Sequence, residues 1–231
     1  MPAFVLIPGA GSGPWTWEAV AERLRAAGYE TTAVDLPCGD PNAGLGDYAD
    51  VVLAAIREPR DTVLAAQSLG AFTAALVCTR VPVAMVVYVN AMIPLPGESP
   101  GEWWKNTNWE DAVRDELDRY GQPSEWGPAE LSAMFMNDAT TELAEEAGRH
   151  ARTQASTPFA DELPQEGWSE VASRSVIAQQ DRFLPAPFQR QLVRERLQIE
   201  PHEIDGGHLA IRTNPSAVSA LLQEQVAGIG S

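Results

Sequence analysis

The sequence predicts an α/β protein: a mostly parallel sheet wrapped by helices and interrupted by a helical insertion. Three observations carry this reading. Short apolar runs at residues 4–7, 31–34, 62–66, 83–89 and 175–178 alternate with stretches of helical periodicity, the order that builds a parallel sheet. The run at 83–89 is apolar throughout, which suits a strand covered on both faces. Between residues 95 and 170 the alternation stops and the periodicity turns helical, as an insertion would read. Residues 1–94 and 171–231 are therefore expected to form one core domain, with 95–170 as a helical cap inserted into it.

Each element has its own signal. The first strand, 4–7, ends in Pro8-Gly9-Ala10-Gly11, and a helix follows over 14–27 with Pro14 in its first turn and Trp17, Val20, Ala21 and Leu24 at helical spacing. Gly28 ends that helix, the second strand occupies 31–34, and Asp35-Leu36-Pro37 opens a loop rich in Gly, Pro, Asn and Asp. A helix is expected over 47–56, a strand over 62–66, a helix over 69–79 and a strand over 83–89. Beyond the insertion come a strand at 175–178, a helix at 188–197, a short strand near 199–204 and a last helix over 215–226.

The insertion differs from its flanks in charge as well as periodicity. It carries 17 acidic and 5 basic residues, a balance of −12 out of −16 for the whole chain. It also holds Trp103, Trp104, Trp109, Trp126 and Trp168, five of the seven tryptophans. Ala112, Val113, Leu117 and Tyr120 recur at helical spacing, as do Leu131, Met134 and Phe135, while Glu110, Asp111, Asp115 and Asp118 would point outward. The apolar sides of these helices are expected to face the sheet. The charge is most simply a solvated outer face; charge at the entrance would favour neutral, largely apolar substrates over anions.

Composition excludes several classes. The chain is 45% hydrophobic and 21% charged, ordinary for a globular protein. Thirty-two acidic against 16 basic residues disfavour a nucleic-acid partner or an anionic membrane surface, and no apolar stretch approaches the roughly 20 residues that span a bilayer. The N-terminus runs into an apolar strand without a basic leader, and the two cysteines, Cys38 and Cys78, lack the spacing of a disulfide framework or zinc site. A reducing, cytoplasmic location and no metal are the expectations.

In a parallel sheet, functional groups gather on loops at the carboxyl ends of strands. Three such loops hold Ser68, Asp181 and His208. Ser68 lies in Ala66-Gln67-Ser68-Leu69-Gly70, between an apolar strand and a helix of small residues, where a tight turn would lift its hydroxyl out of the sheet. His208, in Asp205-Gly206-Gly207-His208, is the well-placed base; His150 and His202 read as solvent-facing. Asp181 follows its strand in Gln180-Asp181-Arg182, where a carboxylate can orient an imidazole. The bland readings are a helix cap for Ser68, a helix cap before Pro185 for Asp181, and an inert hydrogen-bonded His208. The backbone amides of Ala10 and Leu69 are candidates for stabilising an oxyanion. Gly9, Gly11 and Gly13 do not fit a dinucleotide fingerprint.

These residues together resemble the α/β-hydrolase superfamily over essentially the whole chain. The segment from Leu6 to Trp17, the Asp35-Leu36-Pro37 turn and Gln180 to Pro185 followed by Phe188-Gln189 look like the branch containing plant methylesterases, hydroxynitrile lyases and related bacterial esterases. The resemblance implies the α/β-hydrolase fold, a triad of Ser68, Asp181 and His208, an oxyanion hole at Ala10 and Leu69, and a helical cap over the pocket. Relatives usually have histidine at the position of Pro8. The lyases look for a hydroxyl residue at the position of Gly9 and a lysine at that of Leu209, so hydrolysis is favoured over cyanohydrin cleavage.

The expected activity is hydrolysis of a small carboxylic ester, lactone or thioester through an acyl-enzyme, needing no metal or organic cofactor. An acyltransferase, cyclase or C–C bond hydrolase could use the same triad, and a silent binding protein the same scaffold. Gly9, Trp104, Met134, Phe135 and Leu209 are the candidate substrate contacts.

Overall fold

Ala3–Ile7 form the first strand, β1, and the computed structural model describes residues 1–121, 127–166 and 170–227. Trp126 and Trp168 lie outside the described residues. After β1 come α1 (Trp15–Ala26), β2 (Thr31–Ala33), α2 (Leu45–Ala55), β3 (Thr62–Ser68), α3 (Gly70–Cys78) and β4 (Met85–Ala91). Among the described residues four α-helices precede the next strand: α4 (Pro100–Asn106), α5 (Trp109–Arg119), α6 (Pro128–Phe135) and α7 (Thr141–His150). The chain then returns through β5 (Ser173–Ala178), α8 (Ala186–Leu197), β6 (His202–Ile204), α9 (Ala210–Thr213) and α10 (Pro215–Val226).

Among the described residues six strands pair in parallel, in the order β2-β1-β3-β4-β5-β6. Alternation along each strand divides the core into two clusters. Phe4, Leu6, Val63, Ala65, Met85, Val87 and Val89 pack beneath α1 and α10, while Val5, Ile7, Leu64, Ala66, Val86 and Tyr88 pack on the opposite face with α2, α3 and α8. Burial on both faces explains why these strands read as continuous apolar runs rather than alternating ones. The expected α/β fold is thus observed, with boundaries shifted by a few residues: α8 starts at Ala186 rather than 188, and β6 covers only His202–Ile204. The one-turn helix α9 is too short to leave a periodic signal.

Between β4 and β5 the helices stay close to the sheet. Trp103 is fully buried and donates its indole N–H to the Ile93 carbonyl at 3.0 Å. Glu98, before α4, meets Arg196 of α8 in a two-pronged pair at 2.5 and 3.1 Å whose side chains are 3% and 6% exposed. Leu95 N–H and Asn106 also donate to Glu98, so the buried carboxylate is satisfied on both oxygens. On α5, Val113 and Leu117 face inward while Glu110, Asp111, Asp115 and Asp118 are exposed, as the periodicity predicts. Tyr120 departs from that pattern. It is 48% exposed past the helix end, where the Arg182 guanidinium lies 4.1 Å from its ring.

Candidate active site

The sheet reverses its winding at β1. The chain moves from β1 to β2 on one side, then crosses to β3 on the other, which opens a crevice between the carboxyl ends of β1 and β3. Both segments singled out in the sequence, Pro8 to Gly13 and Ser68, emerge there. A cavity of about 680 Å³ occupies the crevice, lined by Ser68 and Gln67 on β3, Ala10 to Ser12 after β1, and residues of α6 and α7.

Ser68 adopts φ +52°, a left-handed conformation that a non-glycine residue holds only under constraint. The constraint comes from β3 running straight into α3. Gly70 is required for it, since a Cβ there would stand 2.7 Å from Pro8 O and 2.9 Å from Ile7 O. Ala66 is fully buried, and its methyl is accommodated in the core. The result is a hydroxyl raised into the cavity at a strained turn. The N–H groups of Ala10 and Leu69 make no hydrogen bond to the described residues, so both donors remain available.

His208 and Asp181 are both 0% exposed. Asp181 Oδ2 accepts from His208 Nδ1 at 2.8 Å and from Gln189 Nε2 at 3.2 Å, while its Oδ1 accepts from the N–H groups of Phe183 and Leu184 at 2.9 and 2.8 Å. The cap reading of Asp181 and its imidazole-orienting reading thus coexist, one on each oxygen. Because a carboxylate only accepts, the contact assigns the proton to Nδ1 and leaves Nε2 as a base. Phe135 and Phe183 box the imidazole edge-on, with centroids 4.8 and 4.9 Å away.

Three further residues shape the site without having been singled out in the sequence. Asn90, 1% exposed with φ +44°, donates through Nδ2 to the carbonyls of Gly207 and His208 at 3.0 and 3.1 Å and accepts from Ala178 N–H at 2.7 Å. Asp138, at the end of α6, accepts from Gly207 N–H at 2.7 Å and Thr213 Oγ1 at 2.5 Å, so the helical segment grips the loop that carries His208. Gln67 places its amide nitrogen 3.2 Å from His208 Nε2. A polar residue ending each of two apolar strands was the available signal for Gln67 and Asn90.

The loop after β1 is held by residues following α7. Arg152 N–H donates to Gly11 O at 2.9 Å, and Gly11 N–H donates to Gln154 Oε1 at 3.0 Å. Gly11 has φ +60°, and a Cβ there would meet Arg152 O at 2.8 Å. The Arg152 guanidinium pairs with Asp35, which raises its pKa further above the usual arginine value. His150 is solvent-exposed as expected, yet it also stacks on Trp15 at 4.5 Å and borders the cavity. His202 differs from its expectation, being half-buried on edge strand β6.

Of the expected substrate contacts, Phe135 and Leu209 line the cavity with Ala10 and Ser68. Trp104 does not: it packs edge-to-face against Trp103, Trp109 and Phe183 in an aromatic cluster outside the cavity. Met134 is likewise turned into the core, 3% exposed. Helical geometry explains the exchange, since Leu131 and Phe135 share one face of α6, and these with Ser132 and Met136 supply the lining. Gly9 is not part of the lining but lies beneath it, in a gap that Gln67 Oε1 and Ser68 Cβ leave too narrow for any side chain. Among the described residues no group of three or more His, Cys, Asp or Glu is arranged to hold a metal ion.

Comparison with known proteins agrees with this architecture. Norfluorocurarine synthase 1 of Strychnos nux-vomica is 27% identical over 252 residues, spanning 96% of this chain and 94% of the relative. Methylesterase 7 of Arabidopsis thaliana is 26% identical over 249 residues, spanning 96% and 95%. The solved structure of polyneuridine aldehyde esterase superposes with a TM-score of 0.80 at 23% identity, covering 97% of this chain and 99% of that one. A pyrethroid hydrolase from Sphingobium faniae gives a TM-score of 0.75 at 22% identity over 98% of both chains. The family model described as the alpha/beta hydrolase family matches residues 4–221, and the chain belongs to that family.

Proposed function

We propose that this protein is a serine hydrolase that cleaves a small, neutral carboxylic ester through an acyl-enzyme. The observation that carries the reading is the buried Asp181–His208 pair, reached at 3.2 Å by Gln67, whose chain neighbour Ser68 is strained and lines the cavity. Ser68 Oγ attacks the ester carbonyl as His208 Nε2 takes its proton, and the N–H groups of Ala10 and Leu69 receive the developing oxyanion. His208 then gives that proton to the departing alcohol. Water, deprotonated by His208, attacks the acyl-enzyme and releases the acid, returning the proton to Ser68. Asp181 holds the imidazole tautomer and stabilises its cation throughout.

Residues 95–170 act in this reading as a cap over Ser68. Leu131, Phe135, Met136, Ala144 and Ala147 bring an apolar roof to the cavity, and none of the described lining residues is acidic. An apolar pocket whose one guanidinium among the described residues, Arg152, is already paired with Asp35 suits a neutral ester. Esterases among the relatives support ester hydrolysis. A relative called a synthase keeps transfer or cyclisation on the same triad as the second reading, and product analysis separates the two.

The test is turnover of a panel of neutral esters by purified protein. Ser68→Ala and His208→Ala should each abolish turnover with the fold intact, and Asp181→Asn should lower kcat by about 10⁴, the effect of imposing the wrong imidazole tautomer. Near-full activity in Ser68→Ala would remove the nucleophile from the mechanism.

A further inference from the structure

The base of the proposed triad is already occupied. Gln67 Nε2 lies 3.2 Å from His208 Nε2, and its next contact, to the His208 carbonyl, is long at 3.5 Å. That carbonyl already has Asn90 as a donor at 3.1 Å, so it does not need Gln67. With the Nδ1 proton assigned by Asp181, the Nε2 lone pair faces the amide. The reverse orientation of the amide would set oxygen against that lone pair, so Gln67 must be the donor. Ser68 Oγ, in contrast, makes no hydrogen bond to any described residue. The amide reaches this place because residue 9 is glycine: Gln67 Oε1 lies against its α-carbon, where a Cβ would overlap it.

We propose that Gln67 is a positioning residue that holds His208 in a resting arrangement, its amide N–H competing with the Ser68 hydroxyl for the Nε2 lone pair. The proposal rests on the serine-triad reading above. Gln67 also lines the substrate cavity, so a bound ester oxygen offers its N–H a second acceptor. The amide then turns from His208 to the substrate, and Ser68 O–H takes the vacated lone pair. No covalent bond changes in this exchange. One hydrogen bond is replaced by two, and the nucleophile becomes activated only with substrate in place.

Two substitutions give opposite predictions, which a merely structural role would not. Gln67→Met keeps the length of the side chain and removes the donor, leaving Nε2 to Ser68. Gln67→Glu puts a carboxylate oxygen against Nε2, which favours a proton there and blocks the base. The readout is the rate of Ser68 phosphonylation by a fluorophosphonate, with Ser68→Ala as control and thermal melts to confirm folding. Gln67→Met should raise the limiting rate about 2- to 10-fold, the worth of one net hydrogen bond, and Gln67→Glu should lower it at neutral pH. Rates that fall in both variants, or match the native rate, overturn the role of Gln67 and leave the triad standing. No labelling of any chain removes the triad and this proposal together. The native protein offers a measurement independent of any variant. Long-range proton–nitrogen spectra should show His208 Nε2 unprotonated and coupled to a Gln67 amide proton, with the coupling lost on phosphonylation. Coupling from the Ser68 hydroxyl instead, before any reagent is added, would overturn the proposal.

Discussion

Asn90→Ala is the substitution through which the placement of His208 is most directly tested. The Asn90 side chain spans the ends of β4, β5 and the histidine loop, donating to Gly207 O and His208 O and accepting from Ala178 N–H. Alanine removes all three bonds from a position that is 1% exposed, so no solvent replaces them. At about 1 kcal/mol net for each, the loss is about 3 kcal/mol. Asn90 also holds φ +44°, where alanine costs about 1 kcal/mol through its Cβ. The sum, about 4 kcal/mol, should lower Tm by roughly 8 to 16 °C in a chain of this length. Asn90→Gly separates the parts. It loses the same bonds but not the backbone preference, and should be about 1 kcal/mol more stable than the alanine variant. Releasing the His208 carbonyl lets the imidazole drift, and a displacement of about 1 Å can cost about 10² in rate. The loss should therefore fall mainly on kcat rather than KM. Calorimetry and steady-state kinetics on the three proteins read both effects. Native kcat in a variant that has lost the expected stability would refute the positioning argument, and an unchanged Tm would refute the bond accounting itself.

The remaining predictions concern pH, thiols and charge. Arg190, bidentate to Glu203 at 2.6 and 2.8 Å, holds that carboxyl down to about 2 from an ordinary 4.5. A depressed carboxyl stabilises the fold above its ordinary value and ceases to as pH falls through about 2. Discounted for partial exposure, the pair is worth about 1 kcal/mol at most; Glu203→Gln should lower the urea midpoint at neutral pH and converge on the native curve in acid, whereas parallel curves would sink the assignment. Burial pushes the Cys78 thiol up to about 12, and Cys38 is 1% exposed, so a thiol reagent at pH 8 should find neither cysteine in native protein and both in denaturant. Rapid labelling before unfolding would contradict this. Among the described residues no acidic side chain lines the cavity, so the acidic charge they carry between residues 95 and 170 acts on substrate from a distance. A preference in kcat/KM for a neutral ester over its anionic analogue should thus shrink as salt shortens the Debye length from about 30 Å at 0.01 M to about 10 Å at 0.1 M. A preference unmoved by salt would place its origin in direct contacts such as Phe135 and Leu209.

What was legible in the sequence followed from local pattern. The strands of the sheet announced themselves because two-sided burial demands unbroken apolar runs, as in Val86 to Val89. The turn at Ser68 was legible because a strand meeting a helix needs a small residue where Gly70 nearly touches β1. Trp104 and Met134 were misplaced for a different reason. Size and apolarity mark a residue for burial without saying against which partner, and α6 and the aromatic cluster each offered two faces to choose from. Only the tertiary arrangement turned Phe135 to the cavity and Met134 to the core.

The contacts hardest to read were those between residues far apart in the chain. Gln67 and His208 are separated by 141 positions, Asn90 and His208 by 118, and Asp138 and Gly207 by 69. None of these pairs has a spacing motif, because neither partner's type is dictated by its own neighbours. Yet each leaves a trace: Gln67 and Asn90 are amides that close apolar strands, where an unsatisfied polar group would be costly in the core. β3 ends at the crevice and β4 ends beside it, so a polar residue there must find its partner among the loops at that end of the sheet. The histidine loop supplies those partners: its Nε2 lone pair faces Gln67, and its Gly207 and His208 carbonyls accept from Asn90. Satisfaction of every buried polar group thus directs attention to the amides at the strand ends, and through them to the loop that carries His208.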